Sequence, residues 1–166
     1  PVQNVGAYGV ELQDRLESLD AMDLQTGKMF TLNAAQCAFG YRDSVFKHAG
    51  GPGRLGLQGR AAIVRVRLAL PKDWQPVLGY ADLERKMAEH QCLAPTAQQI
   101  FDWVCEVRRA KLPDPDEIGN AGSFFKNPTV TPEQCADIIE RDPKVVHYHL
   151  DNGQFKLAAG WLIDAC

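Results

Sequence analysis

No apolar run in this sequence approaches the roughly 20 residues that a helix needs to cross a bilayer, and no basic, apolar, small-residue leader opens it. The expectation is a soluble, unsecreted protein with no membrane partner. Charge of one sign is missing too: the net charge of -3 is spread over interleaved Lys, Arg, Asp and Glu, with no basic run or aromatic-basic stripe to track a phosphate backbone. Nucleic acid is not expected as a partner, and no obligate protein partner is inferred. The five cysteines, at 37, 92, 105, 135 and 166, form no Cys-x-x-Cys knuckle. Odd in number and widely spaced, they do not form a disulfide framework and read as buried free thiols. A metal is not expected, because His147 and His149 would share a strand face without a carboxylate or cysteine at ligand spacing. The glycine-rich run 50–59 lacks the Lys-Ser/Thr ending of a phosphate-binding loop and reads as a mobile surface loop. Internal repeats and low-complexity tracts are absent.

What remains is ordinary globular material. With 166 residues, 45% of them hydrophobic and 23% charged, the chain can bury a sizeable core in one domain or two small ones. It opens at Pro1 inside a glycine-containing loop and stops at Cys166 just after Trp161-Leu162-Ile163, so both ends are expected to be those of a segment of a longer protein.

Residues 1–9 read as a loop in which Gly6 and Gly9 leave backbone amides open to a phosphate or a flat ring. Residues 15–24 and Met29–Leu32, joined through Gln25–Lys28, read as a hairpin, with Asn33 capping a helical turn after it. Residues 61–70 are the strongest strand signal, ended by Pro71. Leu83 and Met87 mark a helix between Tyr80 and His90. A capping box at Thr96–Gln99 opens a second helix with Ile100, Trp103, Val104 and Val107 on one core-facing stripe. Arg108, Arg109 and Lys111 fall in its last turn, where cations suit the carbonyl end of the dipole. Thr131–Gln134 repeats the cap with proline at the first helical position, Asp151-Asn152-Gly153 reads as a hairpin turn, and a last helix begins near Ala158. Hairpins with separate helices argue an α+β fold, with residues 111–115 linking two lobes.

One segment has a chemical character of its own. Gly119-Asn120-Ala121-Gly122-Ser123-Phe124-Phe125-Lys126-Asn127-Pro128 sets a single hydroxyl between glycines and aromatics. Gly119 and Gly122 allow angles that bring Ser123 close to a ligand before a short strand starting at Phe124 and Phe125. The plain alternative is an ordinary turn in which Ser123 satisfies a local backbone donor.

Four segments in order, Pro1–Glu11, Phe39–Lys47 (Phe-Gly-Tyr-Arg-Asp-Ser-Val-Phe-Lys), Lys111–Pro128 and Lys156–Cys166, together resemble the UDP-N-acetylenolpyruvoylglucosamine reductases, the MurB family of flavoenzymes. The resemblance implies the middle of such a protein. Residues 1–110 would be the later part of a two-lobe FAD-binding domain of the PCMH/VAO type, and residues 111–166 the first part of an α+β substrate-binding domain. It implies FAD and NADPH as cofactors and UDP-N-acetylglucosamine enolpyruvate as substrate, in peptidoglycan synthesis in the bacterial cytoplasm. NADPH reduces the flavin, hydride passes to C3 of the enolpyruvyl group, and C2 takes a proton.

On the same resemblance Arg42 matches the family's arginine beside the substrate carboxylate, and Ser123 the proton donor to C2. Tyr41, Tyr80, Lys111 and Asn127 match substrate contacts. Gln3, Asn4, Gly6, Ala7, Tyr8 and Gly9 match FAD contacts made largely through the backbone, and Arg108 would face the flavin unless it serves only its helix end. For Arg42 the bland reading is a surface ion pair with Asp43 or another acid. No glutamate here matches the family's catalytic glutamate, so the segment alone is not expected to turn over. The competing readings are a non-catalytic nucleotide-binding fragment and another flavin oxidoreductase on the same scaffold.

Overall fold

The computed structural model describes residues 1–166, the Arg54 side chain excepted, and divides into two compact units, Pro1–Pro113 and Asp114–Cys166. The division falls between two prolines of the Lys-Leu-Pro-Asp-Pro stretch, where neither residue can carry a helix onward. Both units mix helices with antiparallel strands, an α+β arrangement.

In the first unit β1 (Gly6–Ala7) turns back on β2 (Val10–Glu11), so the opening stretch is a miniature hairpin and not a featureless loop. The turn is possible because Tyr8 and Gly9 both take left-handed backbone, at φ 52° and 81°. A 3₁₀ turn at Leu12–Asp14 leads into β3 (Leu16–Asp23), which pairs antiparallel with β4 (Met29–Asn33) and with β7 (Ala61–Leu68) in the order β4-β3-β7. The expected hairpin is present, with the Asp23 carboxylate accepting from the Gln25 and Thr26 amides at its turn. Asn33 Oδ1 accepts from the Gln36 amide in a turn that does not grow into a helix.

The run at 50–59 is ordered as a third hairpin, β5 (Ala49–Gly51) with β6 (Arg54–Leu57), and not the mobile surface loop that its composition implied. Gly53 supplies the turn at φ 70°. At Gly56 an added Cβ would stand 2.3 Å from the Ala49 carbonyl carbon, so glycine lets the two backbones close. A 3₁₀ turn at Val45–Lys47 precedes this hairpin. Leu16, Leu19, Ala21, Leu32, Cys37 and Phe46 form the core beneath the three-stranded sheet.

Helix α1 (Ala81–Glu89) buries Leu83, and α2 (Ala97–Lys111) opens on the reciprocal Thr96–Gln99 capping box. Trp103 and Val107 of its stripe are buried, Ile100 and Val104 half-buried, and the His90 ring stacks on Trp103 at 5.2 Å. The second unit holds β8 (Thr129–Val130), α3 (Pro132–Arg141), β9 (His147–His149), β10 (Phe155–Leu157) and α4 (Ala159–Asp164), with strand order β8-β10-β9. Cys135, Val145 and Leu157 are its buried centre, flanked by Ile138, Phe155 and Trp161.

Two further expectations need correction. Phe124 and Phe125 start no strand: the backbone is irregular until Thr129, and the two rings, 79% and 64% exposed, pack edge to face on each other. Their side chains have no core to enter, so aromatic strand propensity has nothing to act on. The thiols are free, but only Cys37 and Cys135 are buried, while Cys166 is exposed. No helix among the described residues is long and apolar enough to cross a membrane.

Candidate active site

Within the first unit the segment around residues 40–48 is bonded onto residues 1–13, and Arg42 is the centre of the junction. Its Nη1 donates to the Asn4 carbonyl at 3.1 Å and to Glu11 Oε1 at 3.2 Å, and its Nη2 donates to the Gly6 carbonyl at 2.7 Å. A guanidinium carries five N–H donors. These bonds use two on Nη1 and one on Nη2, and among the described residues no hydrogen bond engages the Nε–H or the second Nη2–H. The Tyr41 ring lies beneath, 5.1 Å from the guanidinium carbon. Arg42 holds φ at 52°, a left-handed angle that costs a side-chain-bearing residue and persists only where surrounding bonds over-determine it.

The loop that receives it is equally constrained. Asn4 is fully buried at φ 39°, with Nδ2 donating to Glu11 Oε2 and to the Gly40 carbonyl and Oδ1 accepting from the Gln13 amide. Among the described residues, three of the five non-glycine residues with positive φ, Asn4, Tyr8 and Arg42, therefore belong to this junction or to the β1–β2 turn beside it. Gly6 is required by packing: a Cβ there would stand 2.7 Å from Glu11 Cγ and 3.2 Å from Arg42 Nη1. At Gly9 a Cβ would meet Val77 Cγ1 at 2.7 Å.

Neighbours complete the clamp. Ser44 Oγ, buried, donates to the Val2 carbonyl at 2.8 Å and accepts from the Phe46 amide. Lys47 Nζ reaches Gln3 Oε1 and the Arg42 carbonyl. The His48 ring, 2.7 Å from the Asp43 carboxylate, holds that carboxyl below the usual range. Arg42 thus pairs with Glu11 and not with Asp43, whose partner is His48.

Each unit holds some of the other expected positions. Tyr8 and Tyr80 meet edge to face, their rings 5.1 Å apart, beside an apolar cavity of about 380 Å³ that Tyr8, Ala7, Leu70, Trp74 and Val77 help to line. Lys111 donates to both carboxylate oxygens of Asp82, and Arg108 is exposed on the outer side of α2. In the second unit Ser123 is exposed directly after Gly122, which takes φ 66°, whereas Gly119 does not need positive φ. Asn120 Oδ1 accepts from the Gly122 amide, so the residues before Ser123 form an Asx turn. Asn127 Oδ1 accepts from the Ala159 amide, tying the segment to the start of α4. Reasoning from sequence passed over Glu11 and Asp82, because a lone glutamate after a short strand and an aspartate in a first helical turn carry no local mark of their long-range partners.

No family model matches the chain. Curated proteins called UDP-N-acetylenolpyruvoylglucosamine reductase match all of it. That of Ralstonia nicotianae is 54% identical over 166 residues, covering 100% of this chain and 46% of the relative. Those of Salmonella typhimurium and Paraburkholderia xenovorans are 53% and 54% identical over 169 and 168 residues, again across 100% of this chain and 45% and 46% of theirs. A crystal structure of UDP-N-acetylenolpyruvylglucosamine reductase (MurB) from Thermus caldophilus aligns with 93% of this chain and 46% of that one, at 22% identity and a TM-score of 0.42, too low to bear on the fold. The kinship rests on sequence: along its whole length this chain is related to the UDP-N-acetylenolpyruvoylglucosamine reductases, and it spans about half the length of the relatives it matches.

Proposed function

We propose that the full protein reduces UDP-N-acetylglucosamine enolpyruvate to UDP-N-acetylmuramate for peptidoglycan synthesis in the bacterial cytoplasm. In this reading residues 1–110 belong to a two-lobe FAD-binding domain of the PCMH/VAO type and residues 111–166 to a substrate-binding domain. FAD, kept reduced by NADPH, supplies the hydride. The residues fit a flat cofactor in one respect that the chain itself supports. Around the left-handed Tyr8–Gly9 turn, Val5, Ala7 and Gly9 are exposed and lack polar side chains, and the polar side chain of Asn4 is consumed internally. Contacts there would run through backbone groups and the Tyr8 ring, with Gln3 at the rim. Arg108 is assigned to the same region by the family resemblance alone.

The reaction's difficulty lies in the substrate. An enol ether is not electrophilic, so its carboxylate must take up negative charge as the new C–H bond forms, and a fixed guanidinium stabilises that charge without having to reorganise. Arg42 is suited to do so, since its remaining Nε–H and Nη2–H are two donors for a carboxylate and its three engaged N–H groups hold the plane. Tyr41 supports that plane from beneath. A single preorganised donor of this kind is worth on the order of 3 kcal/mol of barrier, two to three powers of ten in rate.

Ser123 Oγ gives the proton to C2. A hydroxyl is a feeble acid and works only toward a strongly basic carbon held close to it, which the Asx turn at Asn120 and the positive φ of Gly122 serve. Tyr80, Lys111 and Asn127 bind the nucleotide-sugar part, Lys111 through charge and Asn127 through the Nδ2 donor that Ala159 leaves unused.

The observation that carries this reading is the strained, over-determined Arg42, held between Asn4, Gly6 and Glu11 in a chain that is 54% identical to the Ralstonia nicotianae relative over its whole length. Ser123→Ala in the full-length protein tests it. Reduction of the flavin by NADPH is expected to persist while its reoxidation by the enolpyruvyl sugar stalls, and equal loss of both steps would remove the assignment.

A further inference from the structure

We propose that Glu11 is the positioning residue for Arg42, fixing the guanidinium edge that meets the substrate; this rests on the reading of Arg42 given above. The paired register sets Glu11 opposite Gly6, on the same two-stranded ribbon whose Gly6 carbonyl takes a bond from Arg42. The carboxylate accepts from three side chains at once. Oε1 takes Arg42 Nη1 at 3.2 Å, and Oε2 takes Asn4 Nδ2 and Gln13 Nε2, each at 2.9 Å. Both carboxylate oxygens are needed, because the donors arrive from opposite ends of it.

Chemistry follows from that count. Arg42 Nη1 is held by one neutral carbonyl and one carboxylate, and the bond to the charged acceptor is the stronger of the two. Glu11 is 30% exposed in its side chain and Arg42 28%, so the pair is partly shielded from water while an outside carboxylate can still approach. Glu11 also offsets part of the arginine's charge, so that binding of the substrate carboxylate in the ground state is moderated while the geometry needed at the transition state is kept. An amide at this position offers one acceptor oxygen. Either Arg42 or the Asn4–Gln13 pair then loses its partner, and a small displacement of a catalytic donor can cost on the order of a hundredfold in rate.

The experiment uses the full-length flavoprotein with Glu11→Gln, Glu11→Asp, Arg42→Ala and the double variant Glu11→Gln/Arg42→Ala. It measures flavin content, the rate of flavin reduction by NADPH, calorimetric affinity for UDP-N-acetylglucosamine enolpyruvate, and the rate of its reduction. Glu11→Gln is expected to keep flavin content and the NADPH step within about twofold and to slow substrate reduction by about 10- to 100-fold. Its affinity for the substrate should change far less than that rate. Glu11→Asp should recover part of the loss, and adding Glu11→Gln to Arg42→Ala should cost less than about a further twofold, since residues acting as a unit are not additive. Independent, multiplying effects of the two substitutions overturn the proposal, as does loss of flavin by both Glu11 variants while Arg42→Ala retains it, which makes the carboxylate a fastener of the loop alone. An unimpaired Arg42→Ala removes the reading of the site itself and this role with it, an outcome distinct from the other two.

Discussion

Lys111 Nζ lies 2.8 and 2.7 Å from the two carboxylate oxygens of Asp82, joining the last residue of α2 to the first turn of α1. Arg85 reaches the same carboxylate at 3.0 Å from one turn further along α1. Asp82 keeps only 9% of its side chain exposed, whereas Lys111 keeps 56%, so the carboxylate is the buried partner and the ammonium still faces solvent. Asp82→Asn should therefore destabilise the protein by about 1–3 kcal/mol, the range for leaving buried polar partners poorly satisfied. Urea unfolding would measure it. If Lys111 also binds the nucleotide-sugar, the same variant should weaken substrate affinity while leaving flavin reduction by NADPH unchanged.

Asp20 gives a pH prediction with a definite sign. Arg67 binds it through two parallel bonds, at 2.9 and 2.7 Å, Thr31 adds a third at 2.9 Å, and together they hold the carboxyl down at about 2. A carboxyl lowered on folding contributes stability that is complete above its unfolded pKa of ~4 and is lost as the pH falls toward the folded value. The wild-type protein should thus be more stable than Asp20→Asn at neutral pH. That gap should narrow between pH ~4 and about 2, read as converging urea midpoints. High salt should also narrow it, because both partners lie at the surface of the sheet.

Gly56→Ala should disrupt the β5–β6 hairpin. The new methyl would stand 2.3 Å from the Ala49 carbonyl carbon and 2.4 Å from the Gly50 nitrogen, both backbone atoms with no rotamer to relieve the clash. A cost of about 1–3 kcal/mol is expected, as for overpacking elsewhere. Hydrogen exchange at residues 49–57 should rise first. Gly51→Ala, where nothing lies within 4 Å of the added carbon, serves as the control and should be tolerated.

Asn127 is proposed as a substrate contact and is a structural acceptor by geometry, and two substitutions separate these roles. Its Oδ1 accepts from the Ala159 amide at 2.9 Å. Asn127→Asp keeps that acceptor at the positive end of α4 and should leave stability within about 0.5 kcal/mol, while Asn127→Ala should lose about 1 kcal/mol, as for a lost cap. Both variants remove the Nδ2 donor. A similar fall in substrate affinity for the two, measured by calorimetry on the full-length protein, is the result expected of a binding role.

Several elements are legible from neighbouring residues alone. The capping boxes at Thr96 and Thr131, the Asp23 and Gly153 turns and the β3–β4 hairpin follow from residues within a few positions of one another. The β5–β6 hairpin is not, because glycine content signals both floppy chain and close backbone approach, and only the partner strand separates the two. Nor is the irregular course of Phe124 and Phe125, whose strand propensity needs a sheet to join.

The α+β class, the helix starts and stops, and the kinship can all be read from the order of residues, since each depends on short-range chemistry or on ordered identity. What Arg42 touches cannot. Its partners, Asn4, Gly6 and Glu11, lie 38, 36 and 31 positions away along the chain, a separation over which no local pattern operates. The same holds for Lys111 and Asp82, 29 positions apart. Hydrogen bonds select partners by position in space, and only the folded backbone sets that position.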